Sequence, residues 1–172
     1  ESLSKLLRKM KGTPGSFESA AELMQLMVKE IRTGLRLDRC AIYLLDKEKT
    51  MLRSYSSVGI ETSDPLYKMQ TPIVKGTIFK VLTDKASALW LKPNTKQEVV
   101  NLVPMNFKQA TQRDECFFAS VFVRGKPVAV FYADGEHGSA LNEAQFRYFK
   151  IASKTLESTL EYIGNRKANN AK

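Results

Sequence analysis

The sequence predicts an α/β (α+β) domain built on an antiparallel sheet of five to six strands, and two hairpin patterns with one long amphipathic helix predict it. The first hairpin runs from Cys40 to Leu45, turns through Asp46–Lys49 and returns over Met51–Ser57. The second joins Cys116–Val123 to Val128–Ala133 across Arg124-Gly125-Lys126-Pro127, where glycine supplies a positive φ and proline removes a donor at the strand edge. After a polar loop, Asp134 to Ala140, Asn142 is placed to cap a helix with Gln145 reaching back, and Leu141 and Phe146 stand as a hydrophobic staple. Phe146, Phe149, Ser153, Leu156, Leu160 and Ile163 recur at helical spacing, and Gly164 is expected to end the run.

The remaining elements follow in order along the chain. Leu3, Leu6, Leu7 and Met10 make one apolar stripe on a short helix that stops at Gly12-Thr13-Pro14-Gly15. This segment, residues 1–15, reads as a linker helix and breaker, followed by a domain over 16–164 and a basic tail over 165–172. Ser19 and Glu22 form a capping box for a helix lined by Leu23, Met24, Met27, Ile31 and Leu35, with Gly34 loosening its end. In the middle third, Gln70–Val74 suits an edge strand that tolerates Pro72. Lys75-Gly76-Thr77 opens a helix through Leu82, and Ala88–Leu91 suits a short strand. Beyond Pro93-Asn94, apolar residues from Val99 to Phe107 surround Pro104, which divides a helical insert in two.

Composition narrows the function classes. With 43% hydrophobic and 26% charged residues over 172 positions, the chain has the makings of one globular domain with its own core. No apolar run approaches the roughly 18 residues of a membrane span, so no membrane contact is expected. The net charge of +9 is carried mainly at the two ends, by Lys5, Arg8, Lys9 and Lys11 and by Arg166, Lys167 and Lys172, so no nucleic-acid face is expected either. A chain that begins with Glu1 reads as a piece of a longer polypeptide. Two cysteines without a CxxC, Cys40 and Cys116, fit a reducing cytoplasm and structural burial. The single histidine, His137, leaves no set of ligands for zinc and no histidine-dependent triad unless His137 itself completes one. The polar run from Asp134 through Gly138 is open to two readings, a metal loop or a solvated turn.

A helix, a strand ending in Leu-Leu-Asp, a charged turn, a strand ending near Val58-Gly59 and the closing hairpin and helix together resemble a GAF domain over residues 17–163. The resemblance implies a GAF/PAS-like sheet with the terminal helices on one face and the insert over the other. It implies a cytoplasmic regulatory module of a larger, bacterial-type signal-transduction protein, sensing a small molecule or serving for dimerisation, and not an enzyme. The alternatives are a dimerisation scaffold without ligand and a cysteine-dependent redox enzyme of the GAF type. An output domain in the same polypeptide is implied, with an HD-type domain upstream because the Leu3–Met10 helix resembles a connector. The cofactor is unknown. The Asn-Lys-Phe-Asp-Glu string of cyclic-nucleotide-binding GAF domains is absent, the insert holds neither cysteine nor histidine for a bilin, and no evident axial histidine serves a haem.

On a GAF-like sheet, alternation assigns Ile42 and Leu44 to the helix side and Ala41, Tyr43 and Leu45 to the insert side. The matching set on the next strand is Arg53, Tyr55 and Ser57, and Phe79, Trp90 and Phe107 would complete an aromatic roof. The candidate ligand-binding residues are therefore Tyr43, Arg53, Tyr55, Phe79, Trp90 and Phe107, with Arg53 placed to pair with a carboxylate or phosphate. The open alternative is that the aromatics fill the space as core. A homodimer through the terminal helices is also expected, because Leu26, Val28 and Tyr162 lie off the main stripes and the Leu3–Met10 stripe adds to them. Folding of that first helix back onto its own domain is the alternative.

Overall fold

The computed structural model describes residues 2–170; the terminal charges of Glu1 and Lys172 lie outside the described residues. Six antiparallel strands, β1 (Arg39–Leu45), β2 (Met51–Val58), β3 (Gln70–Pro72), β4 (Ala88–Leu91), β5 (Cys116–Val123) and β6 (Lys126–Asp134), lie in the order β3-β2-β1-β6-β5-β4. The helices are α1 (Ser2–Gly12), α2 (Ala20–Gly34), α3 (Ile78–Asp84), α4 (Gln97–Val100), α5 (Met105–Thr111) and α6 (Glu143–Asn170). Pro72 does sit on an edge strand, where its missing N–H costs no ladder bond. Pro127 instead is the second residue of the central strand β6, opposite Phe122 at a register irregularity between Val121 and Phe122. There the Phe122 N–H donates to Glu157 of α6 at 2.7 Å.

Both helix starts follow from their capping residues. The Asn142 N–H donates to Gln145 Oε1 and the Gln145 N–H to Asn142 Oδ1, both at 2.8 Å, so two orphan donors are satisfied reciprocally. At α2 the Ser19 hydroxyl accepts the Glu22 N–H at 3.3 Å. The β5–β6 connection is a two-residue turn with positive φ at both Arg124 and Gly125, which matches the twist of the strands it joins.

The sheet separates two apolar layers. On one face Cys40, Ile42, Phe117, Ala119, Phe131 and Ala133 pack against α1, α2 and α6. On the other, Ala41, Tyr43, Phe118, Val130 and Tyr132 pack against α3, α5 and the loop around Leu66. The sequence alternation of β1 is therefore realised on both faces.

Three features differ from the sequence expectation. First, α6 runs through Gly164 to Asn170, so residues 165–170 are helical where a tail was expected. A helical glycine costs only about 1 kcal/mol, and here Arg166 donates to the Gly15 and Phe17 carbonyls at 2.9 and 2.7 Å, tying the last turns to the body. Second, α1 folds back onto α2 and α6, burying Leu3, Leu6, Leu7 and Met10 within its own domain. Val28 is buried as well, so of the surface expected to drive a dimer only Leu26 and Tyr162 are exposed. Third, the β1–β2 ladder carries a bulge, with Ile42 opposite Ser56 and Tyr43 opposite Ser54, leaving Tyr55 as the extra residue.

Gly34 does more than loosen the end of α2. A Cβ built there would lie 2.6 Å from the Leu3 Cβ, so the missing side chain is what lets α1 approach. Because that neighbour is a Cβ fixed to the α1 backbone, the whole helix has to move to admit a methyl. Gly34→Ala is expected to cost about 1–3 kcal/mol in urea unfolding and to expose the α1 segment to limited proteolysis first. Unchanged stability and protection would show that α1 is not seated at this contact.

Candidate functional site

The insert side of the sheet is built around one ring. Phe107 of α5 sits with its centroid 5.2 Å from Phe79, 5.4 Å from Tyr132, 5.8 Å from Phe118 and 6.2 Å from Tyr43, mostly edge to face. Tyr43, Phe79 and Phe107 thus come together as the sequence suggests, but as packed core, each about 1% exposed. Of these three, Phe107 also lines a cavity.

The other candidate residues are elsewhere. Arg53 stands opposite Leu44, on the face of the terminal helices, because the bulge at Tyr55 shifts the alternation of β2 by one residue. Arg53 is exposed, as is Tyr55 in the bulge itself. Trp90 is also on the helix side, opposite Phe117, with its ring 5.7 Å from Phe117 and 5.6 Å from Phe146. Its indole N–H donates to Glu115 at 2.7 Å. Strand β4 turns Leu89 and Leu91 to the insert side and Trp90 away from it.

The cavity, about 380 Å³, lies between the α4–α5 insert and the ends of β4, β5 and β6. Phe107, Phe118, Tyr132, Cys116, Leu91 and Val103 form its body. Lys92, Lys108, Arg113 and Asp114 supply its charges. A larger hollow, about 860 Å³, is an open groove between α1 and α6 lined by Met10, Ile151, Thr155 and Tyr162 among others. The smaller one is the less open of the two, with aromatic side chains on its inner wall and polar groups toward its mouth, the form small-molecule sites take.

A buried ionic network braces this cavity from below. The Arg39 guanidinium donates through Nε and Nη2 to Asp134 Oδ2 at 2.9 and 2.6 Å, through Nη2 to the Thr111 carbonyl at 2.6 Å and through Nη1 to Asp64 at 3.3 Å. The Tyr132 hydroxyl donates to the same Asp134 oxygen. Beside it Arg113 bridges Asp38 at 2.6 Å and the Gly135 carbonyl at 3.2 Å. Burial alone would lower the Arg39 pKa, but the hydrogen bond and charge of Asp134 outweigh it, so the guanidinium stays charged. Burial raises the Asp134 carboxyl above its ordinary value, and the Arg39 and Tyr132 hydrogen bonds offset this only in part. Asp134 Oδ1 and the Tyr43 hydroxyl are buried without a protein partner.

Sequence reading missed Arg39, Asp134, Tyr132 and Arg113, and placed Asp134 in the loop, whereas it ends β6 fully buried. A charged pair at the starts and ends of two apolar runs, Arg39 before Cys40 and Asp134 after Ala133, is the signal that was available. Both thiols lie beside this network. Burial first, then the charge of Asp134, pushes Cys40 and Cys116 well above the ordinary thiol range. Among the described residues no group of three histidine, cysteine or acidic side chains is placed to hold a metal. No helix among them is long and apolar enough to cross a membrane.

Three outcomes follow from this chemistry. Arg39→Met, which strands the Asp134 carboxylate, is expected to cost about 3–5 kcal/mol in urea unfolding, and Arg39→Met/Asp134→Leu to recover much of that loss. Simple additivity of the two single variants would deny the coupling. Because the folded Asp134 carboxyl titrates above the unfolded one, its ionisation opposes folding as pH rises between the two values, so mild acid should not destabilise through this group. Neither thiol should react with iodoacetamide in the native protein at pH 8, with both labelled after unfolding; rapid native labelling would mark an activated thiol.

No family model matches the sequence, and no curated protein matches it; the likeness to known proteins is structural. The chain superposes on residues 122 to 287 of a methyl-accepting chemotaxis protein with a TM-score of 0.73 at 19% identity, covering 92% of this chain and 99% of that one. It matches the phycoerythrobilin-bound GAF domain of a cyanobacterial phytochrome with a TM-score of 0.75 at 12% identity, over 96% and 97% of the two chains. The GAF domain of an Acinetobacter phosphoenolpyruvate-protein phosphotransferase matches with a TM-score of 0.67 at 18% identity, over 98% and 96%. Identities of this size speak for the fold alone, and on that ground the chain folds as a GAF domain.

Proposed function

We propose that the protein is a sensory module of a signalling protein that binds a small molecule in the 380 Å³ cavity beneath the insert, without catalysing a reaction on it. The observation that carries this reading is the cavity itself. It has aromatic and aliphatic side chains on its inner wall and polar groups toward its mouth, and two of its lining residues, Thr111 and Tyr132, are hydrogen-bonded to the buried Arg39–Asp134 pair. Three similar folds come from a chemotaxis protein, a phytochrome with a bound bilin and a phosphotransferase, which supports a regulatory role. The cavity residues include no nucleophile next to a base. Cys116 is the one thiol in its wall, and its raised pKa keeps it a thiol rather than a thiolate. An output domain in the same polypeptide is part of this proposal.

A ligand that binds only the folded state stabilises it by about 2.7 kcal/mol at a concentration of 100 Kd. For a domain of this size that is a rise in Tm of roughly 5–11 °C. A pooled metabolite screen by thermal unfolding should find such a rise. It should be lost in Val100→Trp, which fills the cavity from the half-buried end of α4 without disturbing the core. Native mass spectrometry should show the same compound retained by the unmodified protein alone. If no pool raises the Tm and no small molecule is retained, the module is a scaffold and not a sensor. Trp90 fluorescence is no substitute, because the indole is on the far face of the sheet.

A further inference from the structure

Taking the cavity as the ligand site, we infer that it is made for a small organic monocarboxylate with an apolar or aromatic body, the carboxylate drawn to Lys108. Four charged side chains line the cavity, and two of them are already committed. Arg113 is held by Asp38 and the Gly135 carbonyl. The Lys92 ammonium lies 3.9 Å from the centre of the Trp90 ring, which belongs to the other face of the sheet. Lys108 is different. It is half-buried on α5 one residue from Phe107, and among the described residues it pairs with no carboxylate.

A half-buried ammonium beside an apolar hollow attracts an anion more strongly than one in water, because the field is screened less there. The inner wall of the hollow offers such an anion mainly carbon. Phe107, Phe118, Leu91 and Val103 present rings and methyls, and most of the polar side chains among them are already engaged: the Tyr132 hydroxyl donates to Asp134, the Thr111 hydroxyl to the Lys108 carbonyl and the Gln97 amide to Asn101, while the Thr95 hydroxyl accepts the Lys92 N–H. The fitting guest is therefore charged at one end and apolar along the rest.

The fourth charge selects between anions. Asp114, exposed just beyond the end of α5, also lines the cavity and makes no ion pair among the described residues. A carboxylate carries one negative charge, which Lys108 neutralises. A phosphate monoester carries close to two at neutral pH, and the Asp114 charge in the same lining opposes the second. On that charge argument carboxylates are favoured over phosphorylated compounds.

The test uses the full chain labelled at its valine and leucine methyls and follows Leu91, Val100 and Val103 by NMR. The probes are benzoate, 3-phenylpropanoate and indole-3-acetate, the corresponding neutral amides, and phenyl phosphate. The expected result is saturable shifts of these methyls by at least one acid, with its amide and phenyl phosphate binding at least tenfold more weakly, about 1.4 kcal/mol. Lys108→Gln should weaken the acid at least tenfold, Lys75→Gln should leave it unchanged, and Asp114→Asn should strengthen phenyl phosphate several-fold. Amides that bind as well as acids, an unchanged affinity in Lys108→Gln, or a preference for phenyl phosphate would overturn the carboxylate inference while leaving the ligand site standing. If no probe moves these methyls at millimolar concentration, the inference fails, and the metabolite screen decides separately whether the ligand site fails with it.

Discussion

The buried pair of Arg39 and Asp134 is the constraint on which the insert side of this domain depends. One guanidinium joins the first residue of β1 to the last of β6, reaches the Thr111 carbonyl at the end of α5, and holds Asp64 of the loop between β2 and β3. Its position is set by sheet register, since Arg39 and Asp134 are direct partners across the β1–β6 ladder. Taking both charges out of water costs several kcal/mol each, so the pair is tolerable only because nearly every donor is used. The return on that cost is geometric. Thr111 and Tyr132 both line the cavity, and both are fixed by contact with this pair.

Phe107 answers a different requirement. Pro104 lacks the N–H that would continue α4 into α5, so the insert breaks there and α5 starts at a new angle. The Leu102 carbonyl accepts the Ile78 N–H at 2.7 Å, which anchors the break to α3. From this start α5 drives Phe107 into the middle of the insert side, where four aromatic rings surround it. The space over Tyr43 is filled by that ring. The cavity is what is left toward β4, where the short α4 cannot cover the sheet as closely.

Local signals carried most of the fold. The two hairpins, the edge proline, the capping pair Asn142 and Gln145, and the span of β4 each depend on residues near one another in sequence, and each formed, the second hairpin with the shorter turn Arg124-Gly125 because Lys126 and Pro127 join β6. The sites that were misread depend on distant partners. Nothing in the pattern from Met51 to Ser57 announces a bulge, because it arises from pairing with β1 and not from composition. One unpaired residue was enough to send Arg53 to the wrong face. Trp90 was misread for a related reason: four residues of β4 are too few for alternation to fix the face, which only its pairing with Phe117 decides. Arg39 and Asp134 are 95 positions apart, beyond the reach of any periodicity. The first helix shows the same limit, since its apolar stripe is equally suited to a partner chain and to α2 and α6 of its own.

The cavity and the terminal helices lie on opposite faces of the sheet, which stands between them. Strand β5 is the shared element. Cys116 and Phe118 face the cavity, while Phe117 between them packs its ring 5.2 and 5.3 Å from Phe146 and Phe149 of α6. At the other end of the same strand, Glu157 of α6 accepts the Phe122 N–H. A close-packed interior cannot absorb a displacement of β5 on one face without passing it to the other. Any work done in the cavity thus reaches α6 through rings and a hydrogen bond. From α6 it meets α1, whose packing depends on a glycine with no room for a methyl group.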